Sequence, residues 1–174
     1  MVEKGPIMSD TTEAIMDAAE ARIRVGGYAG FSFRDLAEDV GVKSASVHYH
    51  FRTKEVLAAA VARRYKDRFL ETVEQDIVAG SDVVAAWKDG FRQALYGDGR
   101  MCLCGILGAA AGALPEEVLI EARAFFEACL EQMTAGGLTA GRAAQVLATL
   151  EGSMLLATVL NRPVVFDEAT AALA

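Results

Sequence analysis

The segment GVKSASVHYHFRTKE, Gly41 to Glu55, holds both histidines of the chain, His48 and His50. Tyr49 separates them, Ser44 and Ser46 precede them, and Lys43, Arg52 and Lys54 lie close by. Such a cluster could hold a metal, run acid–base chemistry, or read an anionic surface. Metal binding fails on geometry. Side chains two apart on a helix face different ways, and the cysteines, Cys102, Cys104 and Cys129, lie far along the chain. No metal and no cofactor is expected. A catalytic pair lacks a nucleophile, so no enzyme is expected either. An anion-reading face fits the composition. Ser44, Ser46, His48 and Tyr49 can reach phosphates and base edges, and Ala45 can touch a thymine methyl. Lys54, at a helix start, could hold a phosphate beside free backbone N–H groups. His50 suits a phosphate contact and a packed, hydrogen-bonded histidine equally.

Short helices must position these side chains. Asp10 and Glu13 form a capping box for a first helix that stops near Gly26 and Gly27. Ser32 and Asp35 form a second box, ahead of the apolar stripe Phe33, Leu36, Ala37 and Val40, which Gly41 ends. A third helix is expected over Ser44 to His50, with Ala45, Val47 and Phe51 inward. Thr53 caps a fourth helix from Lys54 to about Ala79. Two short helices joined by a tight glycine turn make a helix-turn-helix. Arg34, early in the first of them, suits a phosphate contact and a solvated arginine equally.

The chain stays helical to its end, with no strand signal and no repeat. Ser81 caps the next helix, and Met101 to Leu114 reads as a buried helix. Pro115 opens another, and Arg142 to Leu160 is apolar on most faces until Pro163 breaks it. The longest uncharged run, Met101 to Pro115, is too short to span a bilayer. The start, MVEKGPIMSD, lacks the apolar core of a signal peptide. A cytoplasmic protein without a membrane partner is the expectation. Three cysteines argue against a disulfide framework.

The 174 residues carry a net charge of -7, unevenly spread. Up to Lys66 ten basic residues meet nine acidic ones; beyond it seven meet fifteen. A near-neutral head on an acidic body lets a local basic face bind an anion while the body stays dissolved. The chain is 53% hydrophobic, which is apolar for a monomer and hints at a buried partner face.

The first third of the chain resembles the DNA-binding head of the tetracycline-repressor (TetR) family. The resemblance rests on Gly27-Tyr28, Gly41-Val42, His48-Tyr49-His50-Phe51 and Thr53-Lys54-Glu55, with an Ile/Ala-rich helix before them. Two positions depart from the family pattern. His48 stands where an aromatic is common, and Lys43 where a Ser or Thr often caps the recognition helix. The second change loses a cap worth roughly 1 kcal/mol but sets a cation beside the DNA backbone.

The resemblance implies an all-α fold: a three-helix head over 9–53 after a disordered tail 1–8, and a helical effector-binding and dimerisation body over 54–174. It implies a homodimeric repressor, released from a near-palindromic double-stranded DNA operator by a small-molecule or electrophile effector. The DNA-binding set is Ser32, Arg34, Lys43, Ser44, Ala45, Ser46, His48, Tyr49, His50, Thr53 and Lys54. Trp87, Phe91, Met101, Cys104, Phe125, Phe126, Met133 and Met154 are first of all core; in this family such a core opens into a ligand cavity. Cys102 and Cys104 are buried hydrophobes or sensor thiols, Arg100 being placed to lower a thiol pKa. Ala144, Leu147, Ala148, Gly152 and Leu155 would line the dimer seam, with Ala143 and Ser153 among the small residues that let helices approach. The rivals are a helical interaction module that reads no sequence and a thiol-dependent enzyme.

Overall fold

The computed structural model describes residues 7–173, and every regular element in that span is helical. The nine α-helices are α1 (Ile7–Gly26), α2 (Phe33–Val40), α3 (Ser44–His50), α4 (Lys54–Val78), α5 (Val83–Asp98), α6 (Leu103–Ala109), α7 (Glu116–Ala135), α8 (Ala140–Val159) and α9 (Val164–Thr170). Most of the expected tail lies outside the described residues. Its last two residues, Ile7 and Met8, already belong to α1. Asp10 therefore sits in the first turn of α1, where its charge suits the helix dipole, and is not the N-cap.

Local chemistry sets the head. Ser32 Oγ accepts from the Asp35 N–H at 3.3 Å, and Asp35 Oδ2 accepts from the Ser32 N–H at 2.8 Å. These two bonds satisfy donors that the start of α2 would otherwise leave open. The Ser32 hydroxyl also donates to Asp35 Oδ2 at 2.7 Å, and this bond, with the one from the Ser32 N–H, holds the Asp35 carboxyl below its usual pKa. At the other end Gly41 takes φ 74°. Its N–H reaches Glu38 O, and the Val42 N–H reaches Ala37 O at 2.9 Å. That paired closure needs a left-handed residue, which glycine adopts at no steric cost. The turn aims α3 across α2, with Val47 fully buried against Leu36 and Ala37 in one cluster. Ala45 is exposed, contrary to expectation. It lies two residues before Val47 and so points to the other side of the helix.

Helix α4 runs from head to body and packs most extensively on α7. Phe69 on α4 meets Trp87, Phe91 and Phe125 at centroid distances of 6.0, 5.1 and 5.6 Å. Two expected boundaries move. Asp82, not Ser81, caps α5, because its Oδ1 accepts from the Val84 and Ala85 N–H groups. The Met101 to Leu114 helix shortens to α6 and a 3-10 turn at Ala111–Ala113. Cys102 caps α6, its Sγ accepting from the Gly105 N–H at 3.4 Å.

Head and body are also tied directly. Arg24, near the end of α1, is buried. Its guanidinium donates to Met101 O (2.8 Å), Asp98 Oδ2 (2.6 Å), Arg100 O (3.0 Å) and Ala94 O (3.3 Å). One side chain thus satisfies the Arg100 and Met101 carbonyls of the α5–α6 connection and fixes the start of α6.

Replacing Gly41 with Ala should cost about 1–2 kcal/mol through its left-handed backbone. Gly26→Ala should be nearly neutral, since Gly26 has ordinary φ and open space around it. Urea unfolding of the two variants checks the contrast. Arg24→Gln should cost about 3 kcal/mol by removing the donors to the Arg100 and Met101 carbonyls and the nearer cation of Asp98, read in the same assay.

Candidate nucleic-acid interface and body cavity

One surface of the head carries most of the polar residues singled out above. Lys43, Ser44, Ala45, His48 and Tyr49 are exposed on α3 and its N-terminal edge, and Ser46 is half-buried. Tyr49 is the one large hydrophobic residue exposed on α3, at 73%. Ser32, Arg34 and Thr53 are exposed at the rims of the same head. Arg34 is paired loosely with Glu38 at 3.3 Å and is 85% exposed, so it can swing to another anion. Arg52, exposed directly after α3, is a further cation that the first reading left unassigned.

Beneath this face sit groups that brace it. The His48 ring meets Phe33 edge-on at 4.7 Å. His50 Nδ1 and Thr12 Oγ1 are hydrogen-bonded at 2.9 Å, which ties α3 to α1. Of the two roles open to His50, packing is thus the one with a bonding partner.

Lys54 is also committed elsewhere than expected. Its Nζ donates to Phe31 O at 2.6 Å and lies over the Tyr28 and Phe31 rings at 4.7 and 4.5 Å. Burial lowers its pKa. The ammonium is turned into the head, so only the backbone at the α4 start remains for an anion. Tyr28 in turn donates to Glu55 Oε1 at 2.9 Å, and burial with this bond pushes its phenol up to about 12. Thr53 Oγ1 accepts from the Val56 N–H, so its first role is the cap.

In the body, a cavity of about 650 Å³ opens between α6, α7 and α8. Of the residues expected to line a pocket, Met101 and Phe126 do so. Trp87, Phe91, Cys104, Phe125, Met133 and Met154 are instead fully buried core. They belong to the inner faces of their helices, and the cavity forms on the outer side of α6. Its polar wall comes from two residues the first reading missed, Arg123 and Glu151. Glu151 left a trace: it is the one charged residue between Arg142 and Arg162.

The thiols do not have the expected activation. Cys102, Cys104 and Cys129 are all buried. Burial, with the Glu151 charge nearby, pushes the Cys102 and Cys104 pKa values up. Arg100 turns instead toward Asp98 at 3.7 Å. A buried thiol of raised pKa holds little thiolate and is a weak nucleophile. Among the described residues no cluster of His, Cys, Asp and Glu could hold a metal, and no helix is long and apolar enough to cross a membrane.

Helix α8 presents an outward stripe. Ala144, Ala148, Gly152 and Leu155 are exposed there, and Leu156, Val159 and Leu160 extend it toward Val164 on α9. Val159 is 73% exposed. Leu147 departs from expectation: with Ala143 and Ser153 it turns into the chain's own core.

A family model described as bacterial regulatory proteins, tetR family, matches residues 15–61. A TetR transcriptional regulator from Legionella pneumophila is 30% identical, with a TM-score of 0.84, over 92% of this chain and 94% of that one. A TetR-family regulator from Agrobacterium tumefaciens superposes with a TM-score of 0.85 at 25% identity, over 94% and 95% of the two chains. An uncharacterised HTH-type transcriptional regulator from the dhlA 5′ region of Xanthobacter autotrophicus is 30% identical over 95 residues. That match covers 53% of this chain and 47% of the relative, so the chain spans about half the length of the curated relative it matches.

Lys54→Met should keep the aliphatic packing but lose the bond to Phe31 O and the ring contacts. A loss of about 1–2 kcal/mol is expected, measured by thermal unfolding, whereas Arg52→Ala should leave stability within about 0.5 kcal/mol.

Proposed function

Because the chain belongs to the TetR family of bacterial regulatory proteins, we propose that it acts as a homodimeric, sequence-specific repressor released from its operator by a small-molecule effector. The observation that carries this reading is the outward face of α3, where His48 and Tyr49 stand exposed between Lys43 and Arg52. The helix is short and braced from behind, as a reader of base edges needs to be. Lys43, Arg34 and Arg52 supply cations for the phosphates, while Ser44, His48 and Tyr49 supply base-edge and sugar contacts.

A single head offers too little surface for a specific site. The α8–α9 stripe supports pairing: Leu155, Leu156, Val159 and Leu160 leave an apolar face that water disfavours, with small residues beside it. Two heads would then enter major grooves about 34–36 Å apart and read a near-palindrome.

Effector coupling has a physical route. Met101 and Ile106 line the cavity. Met101 O is held by Arg24, and Ile106 lies against Gly27, both at the end of α1. A ligand that shifts α6 would move α1 and with it the half-site spacing, given a preference for one state of about 1–3 kcal/mol. A cytoplasmic, non-enzymatic protein fits this role. The buried, high-pKa thiols weigh against a thiol enzyme and against sensing by Cys102 or Cys104.

The test is a footprint of the purified protein on DNA flanking its own gene. A two-fold-symmetric protected site is expected; only weak, salt-sensitive binding to any DNA would favour the interaction-module reading. On that site, Tyr49→Ala should weaken binding by about 1–3 kcal/mol. Lys43→Ala should reduce the slope of log affinity against log salt by about one. Val159→Lys should give a monomer by sedimentation and lose the footprint.

A further inference from the structure

The wall of the body cavity is almost all carbon, from Met101, Ile106, Leu119 and Phe126, and Glu151 is the one acid on it. Both Glu151 carboxylate oxygens are shielded from solvent, and the one group beside them that can donate is the Cys102 thiol, a weak donor. Space for the group is provided by Gly105, where a Cβ would collide with Glu151 Oε2. The bases on the neighbouring helices are used elsewhere. Arg63 and Lys66 of α4 turn to Glu121, and Arg123 of α7 is exposed at the cavity edge. A carboxylate shielded from water with only a thiol to bond it is costly, and native proteins seldom keep one without a use.

We propose that this cavity takes an amphipathic organic cation, whose apolar body lies on Met101, Ile106 and Phe126 and whose charged nitrogen pairs with Glu151. The inference rests on the effector-cavity reading and adds the chemical class of the effector. The volume of about 650 Å³ suits a drug-sized molecule. Beside carboxylate oxygens that are shielded from solvent, one opposite charge is worth more than at the surface. Arg123, the other polar residue of the wall, is exposed, whereas the Glu151 oxygens are shielded from solvent, so an anionic ligand that reached Glu151 would meet a like charge.

Charge state follows the same logic. Burial pushes the Glu151 carboxyl up to about 7. The groups facing it are the Cys102 and Cys104 thiols around the start of α6 and, more distantly, Cys129 of α7, all neutral at that pH. A cation binds the ionised form, so binding should release a proton below pH 7 and tighten as pH rises through 7. A ligand that accepts a hydrogen bond from the protonated acid would show the opposite trend.

Three probes of equal chain length separate these cases: decyltrimethylammonium, decanol and decanoate, titrated into the full chain by calorimetry at pH 6 and pH 8. The ammonium probe should bind tightest, by about tenfold or more over decanol at pH 8, and its margin should shrink at pH 6. In Glu151→Gln that margin should vanish while decanol binding stays. The wild-type ranking and its pH trend decide the matter even if the variant folds poorly. Equal affinities, a preference for decanoate, or an ammonium preference that survives in a folded Glu151→Gln protein would overturn the proposal and leave the cavity reading standing. Binding of none of the three would overturn both.

Discussion

A buried guanidinium holds this molecule together at its waist. Arg24 leaves the DNA-facing head and ends among the carbonyls of the α5–α6 connection. The Arg100 and Met101 carbonyls have no helical partner of their own, and burial would make them costly without a donor. Arginine fits because its planar fork carries five donors and keeps its charge. The start of α6, and so the wall of the cavity, is positioned by a residue of α1. Long α4 gives the same two halves a second connection through its contacts with α7.

The reading face relies on the same economy of bracing. Helix α3 has only seven residues, too few to stand alone. Val47 fixes it from beneath, Phe33 supports His48, and Thr12 holds His50. The Lys54 ammonium joins the Phe31 carbonyl and two rings below the turn that follows. His48, His50 and Lys54 are thus partly committed to holding the exposed side chains rigid. Rigidity matters because base readout tolerates little positional error.

Much of the head was legible in the sequence because its determinants are local. Ser32 and Asp35 lie three residues apart, and Gly41 follows directly on the helix it ends. The α5 cap was misplaced by one residue, since Ser81 and Asp82 are both good caps and only the fold decides which one reaches the amides. Cys102 as a cap carries almost no signal, because thiols accept hydrogen bonds weakly. The cavity was the least legible part. It arises where three successive helices fail to fill the space between them, and no spacing rule records an absence of packing. The aromatic residues chosen for it fill the core for that reason, while small residues such as Gly105 and Gly152 leave the room.

The cavity and the apolar α8 stripe share two residues, Gly152 and Leu155. If a second copy covers the stripe, it also forms part of the mouth. Thermodynamic reciprocity then applies: whatever factor a ligand applies to self-association, self-association applies to the ligand. Occupancy of a site on DNA would also depend on protein concentration to a higher power than one. Dilution would loosen control abruptly, and the small molecule would set where that threshold falls.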